Sequence, residues 1–304
     1  MSRILIMQVS VIIVNYNTKD LTAECIESVF EQTKEIEFEV ILVDNASTDG
    51  SVELFSKDSR IVFMPSSLNL GFGRANNKGL EVATGEYVFF LNSDTLLGNN
   101  AIKLFYDKIE ESPNEVACLG TLLYDKDDNI IHSFGALPTK AKSLFYWTFL
   151  GSIYRFCGFR GLLYDNPSDI KGEFFNVGYV TGADMFVRNS VIKELGAFDK
   201  DFFMYYEDTD MQKRYREHGY KSYIYSIPKV YHLHGSSSKS KPALRKRILS
   251  NNSLFIYFKK HSSRVGYKLF RFAFTIFSLP VLFHFRHTWK DKLAYIKATM
   301  CGVN

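Results

Sequence analysis

Residues 88–97 read VFFLNSDTLL, and the place where the apolar letters give way decides the fold. Val88 to Leu91 is uninterrupted and apolar, the pattern of a strand covered on both faces, and such strands belong to largely parallel sheets. Asn92, Ser93 and Asp94 then break the run. An unpartnered carboxylate inside a doubly covered strand is costly. The strand is therefore expected to end at Leu91, leaving Asp94 to meet a partner beyond the sheet.

Working outward, VSVIIVNYN (9–17) and FEVILVDNASTDGS (38–51) have the same form, an apolar run that ends at Asn15 or Asp44. Between them Leu21, Cys25, Ile26, Val29 and Phe30 recur on one face of a helix that Thr18 is placed to cap. A short helix near VELF (52–55), a strand RIVFM (60–64) and a loop and helix over LNLGFGRANNKGLEVATG (68–85) lead back to the opening strand. This alternation predicts an α/β fold with a mostly parallel sheet, right-handed crossovers and flanking helices. In such sheets the ligand crevice lies beyond the carboxyl ends of the strands, where Asn15, Asp44 and Asp94 all fall.

Beyond VACLGTLLY (116–124) the pattern is less regular. Residues 125–175 read as a mixed segment with a long loop from Thr139 to Lys171. A strand then precedes a helix over Asn189 to Leu195, a second helix starts at the acidic cluster Glu207, Asp208 and Asp210, and KSYIYSIPKVYHLHGSSS (221–238) is a strand running into a loop.

Composition sets the class. The 304 residues are 46% hydrophobic and 15% aromatic, enough for a sizeable core and far from the make-up of a disordered chain. Cys25, Cys118, Cys157 and Cys301 show neither a paired framework nor a metal-binding spacing, which favours a reducing compartment. The start, MSRILIMQVSVIIV, is interrupted by Gln8 and Ser10 and has no small-x-small cleavage site, so it reads as structure and not as a signal peptide. The net charge of +4 is unevenly distributed: Ser237 to Asn304 holds fourteen Lys and Arg against one acid, Asp291, leaving the first 236 residues at −9. Large apolar blocks between the basic residues of that tail suit an anionic membrane surface better than nucleic acid, with ordinary helical packing onto the main domain as the alternative. The uncharged stretch Phe272–Phe285, 14 residues with Pro280 inside it, is too short to span a bilayer comfortably.

Each chemical motif has a plain structural reading beside the functional one. Asp44, in VDNASTDGS, is turn chemistry or a carboxylate that accepts hydrogen bonds from a nucleotide base. GFGRAN (71–76) opens like a dinucleotide fingerprint, but Asn76 replaces the third glycine and the motif does not follow the first strand, which rules out a Rossmann dehydrogenase. Glu207, Asp208 and Asp210 complement the dipole of their helix, or one of them is a general base whose proton affinity is raised by the aromatic approach FDKDFFMYY (198–206). His232 and His234 are solvent-facing alternation, or one of them joins an Asp in holding Mn²⁺ or Mg²⁺ together with phosphates.

In this order the motifs VSVIIVNYN, VILVDNASTDGS, NLGFGRANNKG, FFLNSDT, GADMFVRNSVIKELGAFDKDFFMYYEDTDMQKR and YHLHGSS resemble the inverting glycosyltransferases of family two, with the GT-A fold, and among them the bacterial rhamnosyltransferase-like members that build cell-surface polysaccharides. The resemblance covers residues 9–238 and implies a catalytic domain there, with a nucleotide-binding half over 1–122 and an acceptor half over 123–238, followed by a basic aromatic helical tail at 239–304. It implies that Asp44 contacts the base, that Asn15, Asn69, Gly71, Arg74 and Asn76 surround base and ribose, and that Ser93 joins them within the D-x-D position. There Asp94 would bind a divalent cation, Mn²⁺ or Mg²⁺, that bridges the diphosphate, with His232 as a further ligand and His234 in reserve. Asn92 stands where that motif has its first Asp, which leaves one fewer anionic ligand. Asp208 matches the base that deprotonates the acceptor, while Gly182, Ala183, Asp184 and Glu207 would line the acceptor side.

The implied reaction moves a hexose, with rhamnose as the family's lean, from a dTDP- or UDP-sugar to a hydroxyl of a glycan or lipid-linked acceptor. The expected location is the cytoplasmic face of the cell membrane. A sugar nucleotidyltransferase is the alternative enzyme, disfavoured because NYNTKDLTAE (15–24) has one Lys and no Gly where a triphosphate-binding loop would be expected. A non-catalytic sugar-nucleotide or membrane-binding protein is the alternative from another class.

Overall fold

The computed structural model describes residues 7–151, 172–233, 243–283 and 288–301. They form two compact units: the first comprises residues 7–136, 172–203 and 207–233, and the second comprises 137–151, Met204–Tyr206, 243–283 and 288–301.

The first unit opens with β1 (Val9–Asn15), α1 (Lys19–Gln32), β2 (Phe38–Asp44), α2 (Ser51–Phe55), β3 (Ile61–Pro65), α3 (Phe72–Leu80) and β4 (Tyr87–Asn92). The short β5 (Thr95–Leu97), α4 (Ala101–Glu110), β6 (Val116–Gly120), β7 (Leu123–Tyr124), β8 (Ile130–Ile131) and β9 (Phe134–Gly135) follow. The second unit contributes α5 (Lys140–Trp147), and the first resumes with β10 (Phe174–Val177), β11 (Tyr179–Val180), β12 (Asp184–Arg188), α6 (Asn189–Leu195), α7 (Glu207–Glu217), β13 (Lys221–Tyr225) and β14 (Val230–His232).

The central sheet has eight strands in the order β10-β13-β6-β12-β4-β1-β2-β3. β1 pairs in parallel with β2 and β4, β2 with β3, and β6 with β13, while β12 runs antiparallel between β4 and β6. The mostly parallel α/β sheet expected from the sequence is thus present. Its register aligns the polar strand ends: Asn15 pairs with Asp44, and Val14 with Asn92. A smaller sheet, β5-β14-β7-β8, lies just beyond the end of β4, with His232 opposite Thr95.

The sheet is buried on both faces, which is why its strands read as continuous apolar runs. Val11, Ile13, Phe89 and Leu91 belong to one core and Ile12, Val43, Phe90 and Met185 to the other. In the first core the Phe186 ring stacks on Phe105 at 5.5 Å and on Tyr87 at 5.4 Å.

Three expectations are corrected. The strand that carries the opening motif runs one residue further, to Asn92, because the Asn92 amide still donates to the Ala183 carbonyl at 3.0 Å. The loop expected from Thr139 to Lys171 begins instead with helix α5, whose N-terminus is capped by the Thr139 hydroxyl accepting from the Lys142 amide. Residues 152–171 of that loop lie outside the described residues. The third correction concerns the tail.

The rest of the second unit is helical: α8 (Ala243–Lys260), α9 (Arg264–Ser278), a 3₁₀ turn (Leu279–Phe283) and α10 (Trp289–Cys301). Phe255, Phe258, Phe270 and Phe274 pack ring on ring in its interior. Pro280 does not stop the helix early, since it falls in the 3₁₀ turn that continues α9. Arg264–Phe283 is therefore a helical segment of 20 residues, long and apolar enough to cross a membrane by length and composition; it starts before the uncharged stretch and includes Arg264, Lys268 and Arg271.

Because Phe186 has no exposure and contacts three other rings, Phe186→Ala should cost about 3–5 kcal/mol. Urea denaturation checks this, and a shift below about 1 kcal/mol would show that the ring cluster relaxes around the hole.

Candidate functional site

The carboxyl ends of β1 and β2 are tied together by side chains. The Asn15 amide donates to Asp44 Oδ2 at 2.7 Å and to Ser47 Oγ at 3.0 Å, and Asn15 Oδ1 accepts from the Thr18 and Thr22 hydroxyls at 2.8 and 2.9 Å. Asp44 Oδ1 accepts from the Ser47 amide at 2.9 Å. Asn15 and Asp44 are fully buried, so both are structural hubs of this crevice. A carboxylate offers about four lone-pair sites, so Asp44 keeps acceptor capacity beyond these two bonds.

Thr18 occupies the N-cap position of α1 but makes no side-chain cap, because its hydroxyl is turned to Asn15 and to Ser93 Oγ at 3.1 Å. The carboxylate of Asp49 takes over at that helix end by accepting from the Lys19 amide at 2.8 Å. Asp49 stands in the stretch that reads as turn chemistry, and its capping role depends on a contact 30 residues apart in sequence.

The loop before α3 is organised by Asn45, which sequence reasoning passed over. Its Oδ1 accepts from the Leu70 amide at 2.8 Å, and its amide donates to Asn69 Oδ1 and to the Gly71 carbonyl. Gly71 has a φ of +82°, and a Cβ there would come within 2.1 Å of the Phe203 carbonyl oxygen. Asn76 is buried and donates to the Phe72 carbonyl one turn back, while the exposed Arg74 donates to the Leu70 carbonyl.

At the end of β4, Asp94 lies beside His232. His232 Nε2 lies 3.1 Å from Asp94 Oδ1 and 3.5 Å from the Asn92 amide nitrogen. The antiparallel β5–β14 pairing brings them together, and the Leu233 amide donates to the Asp94 carbonyl at 2.8 Å. His234 lies outside the described residues. The Asp94 and His232 side chains are 16% and 18% exposed, so both can reach a ligand. One carboxylate oxygen and one imidazole nitrogen suit Mn²⁺, and less closely Mg²⁺, but no group of three or more His, Cys, Asp or Glu gathers among the described residues. Among the described residues this pair offers two donors, and a cation would need the rest from elsewhere, such as a diphosphate.

Asp208, in the first turn of α7, is partly buried. Its Oδ2 accepts from the Gly182 amide at 2.9 Å, and its Oδ1 accepts from the Thr209 amide at 2.6 Å and hydroxyl at 3.1 Å. Burial raises its pKa above the ordinary carboxylate value, against the opposing effects of these bonds and of the nearby His132. His132 lies 3.4 Å from the Tyr179 hydroxyl and gave no signal in the sequence. Two non-glycine residues in left-handed backbone, Tyr205 at φ +71° and Tyr206 at φ +66°, immediately precede the helix. Such strain clusters at functional sites. The aromatic approach divides: Phe198 and Phe202 are buried, whereas Phe203 and Tyr205 are exposed. Asp210 takes the structural role, accepting from Arg214 at 3.0 Å.

Gly182, Ala183, Asp184 and Glu207 are all buried. A Cβ on Gly182 would lie 2.9 Å from the Phe72 ring, so the close approach of its amide to Asp208 needs glycine. Asp184 accepts from the Thr121 amide at 2.6 Å, and its Oδ1 has no hydrogen-bond partner among the described residues. Burial pushes its pKa well above the ordinary value.

The profile of Glycosyl transferase family 2 matches residues 10–196, more than half of the chain. The chain belongs to glycosyl transferase family 2. Among similar proteins, Glycosyltransferase GlyG of Streptococcus pneumoniae is 33% identical over 124 residues, which are 40% of this chain and 41% of that protein. The matched part of the chain therefore spans less than half the length of this relative. The N-acetylglucosaminyl-diphospho-decaprenol L-rhamnosyltransferase of Mycobacterium tuberculosis is 26% identical over 227 residues, covering 67% of this chain and 69% of that enzyme. Among solved structures, the mannosyltransferase PcManGT of Pyrobaculum calidifontis in complex with GDP-Man and Mn²⁺ superposes with a TM-score of 0.56 at 17% identity, covering 98% of this chain and 76% of that one. At that identity the likeness is one of fold.

The raised carboxyls make stability depend on pH. A native state that holds protons more tightly than the unfolded chain loses stability as pH rises from the ordinary carboxylate range toward the raised values. Asp184→Asn should flatten this fall above about pH 4, the ordinary carboxylate value. Urea midpoints across that range test it, and a slope equal to that of the unaltered chain would place the proton elsewhere.

Proposed function

We propose that this chain transfers a hexose from a nucleoside-diphosphate donor to a hydroxyl of a glycan or lipid-linked saccharide, with inversion at the anomeric carbon. The observation that carries the reading is the Asp94–His232 pair at the carboxyl end of β4, in a family 2 chain whose neighbouring strand ends, Asn15 and Asp44, border the same crevice. Relatives named as a rhamnosyltransferase and a solved mannosyltransferase with GDP-Man and Mn²⁺ support a sugar donor of this class. Rhamnose carried on dTDP, or a UDP-sugar, is the specific donor we propose, with the product destined for a cell-surface polysaccharide.

The donor would lie with its base and ribose along Asn15, Asp44 and the loop from Asn69 to Asn76, and with its diphosphate toward Ser93 and Asp94. A divalent cation held there by Asp94 and His232 would offset the negative charge that grows on the leaving diphosphate. Asp208 removes the acceptor proton as the hydroxyl oxygen attacks the sugar from the face opposite the diphosphate. Of its two oxygens, Oδ2 accepts from a single donor while Oδ1 accepts from two, so Oδ2 is the better placed to receive that proton. The raised pKa of Asp208 favours uptake, and the Gly182 and Thr209 amides fix the carboxylate's orientation. The acceptor is a lipid-linked sugar at the cytoplasmic face of the membrane.

Asp208→Asn should preserve thermal stabilisation by the nucleotide sugar while transfer falls by about a hundred- to ten-thousand-fold. Release of nucleoside diphosphate in the presence of acceptor measures transfer. Near-normal release by the variant removes Asp208 from the mechanism, and release with no acceptor dependence argues for hydrolysis over transfer.

A further inference from the structure

The second unit presents an apolar surface that its own core does not use. On α9 and the 3₁₀ turn beyond it, Val265, Leu269, Phe272, Ile276, Leu279 and Phe283 recur at alternating intervals of four and three, which keeps them in one narrow stripe. All are exposed, Phe272 by 68% and Phe283 by 80%. At 1.5 Å per residue the stripe is roughly 27 Å long. On the other side of the same helix Phe270, Phe274 and Ser278 are buried. Arg264 and Lys268, both exposed, flank the stripe. Helix α10 repeats the arrangement, with Trp289, Leu293 and Met300 exposed beside the exposed Lys290 and Lys297.

We infer that this stripe lies in the plane of an anionic bilayer, its apolar side chains at the boundary between headgroups and acyl chains and the flanking Lys and Arg on the lipid phosphates. Charge decides the occupant. A second copy of the chain would set one strongly basic tail, fourteen Lys and Arg against one acid, against another. A nucleic acid would satisfy the charge and leave the stripe in water. An anionic membrane meets both requirements, since apolar burial and attraction of basic residues to acidic lipids add. Spanning is disfavoured because one side of α9 is covered by protein and Arg264, Lys268 and Arg271 fall within the segment. The inference is independent of the donor reading, because lipid binding needs no nucleotide sugar.

Sedimentation of the full chain with phosphatidylcholine vesicles, with and without about 30% phosphatidylglycerol, tests it. We expect binding only where the acidic lipid is present, weakening as salt rises. Leu269→Glu combined with Phe272→Glu should lower the bound fraction about tenfold, while Val62→Ser, an exposed apolar position of the first unit, leaves it unchanged. Phe283→Glu, at the most exposed position, serves as a second variant should the double change disturb folding. Unchanged binding by folded stripe variants overturns the inference. So does a dimer that these variants dissociate without any vesicle binding, or resistance of bound protein to alkaline extraction, which would mean spanning.

Discussion

The hydrogen bond from the Asn15 amide to the Asp44 carboxylate is the constraint on which the crevice depends. It joins two adjacent parallel strands at the residue where each leaves the sheet, and the remaining capacity of both side chains fixes the start of α1 and the loop after β2. Both groups are buried, so losing one partner would strand the other without solvent, a cost of about 1–3 kcal/mol or more for the charged member. The register of β4 against β1 then places Asn92 beside this junction, and the small sheet containing β14 delivers His232 to Asp94. Chemistry-bearing groups thus reach one edge because polar residues end the strands in step.

The end of β4 sets Asn92 and Asp94 beside His232. Asn92 contributes a side-chain amide near His232. In the proposed metal role, the described residues would bring one carboxylate and one imidazole to a cation, and a diphosphate would supply further charge and oxygens. Asp208 depends on a separate device, a glycine amide and a helix start that hold a partly buried carboxylate in a fixed orientation.

Much of this was legible in the sequence because strands buried on both faces write their length directly as apolar runs. Their polar ends fall together at one edge of the sheet, whereas the residues alone left Asp208 open between a helix-dipole acid and a base. What stayed hidden depended on pairings distant in sequence. Asn45 and Asp49 looked like ordinary turn residues, yet they hold the Asn69–Gly71 loop and the start of α1. Asp44 reads locally as turn chemistry or a ligand-facing carboxylate and is fully buried, since nothing local reveals that Asn15 stands beside it. The tail's uncharged stretch is bounded in the sequence by Arg271 and Arg286, whereas its helix starts at Arg264 and runs through Lys268 and Arg271, with Pro280 accommodated in the 3₁₀ turn at its end.

Mn²⁺ binding, titrated calorimetrically with and without a nucleoside diphosphate, tests most directly the claim that the strand-end site is completed by its donor. The account predicts that the diphosphate tightens Mn²⁺ binding by about tenfold or more, and that Asp94→Asn abolishes the gain. Equal Mn²⁺ affinity with and without the diphosphate, or a gain that survives Asp94→Asn, would contradict it.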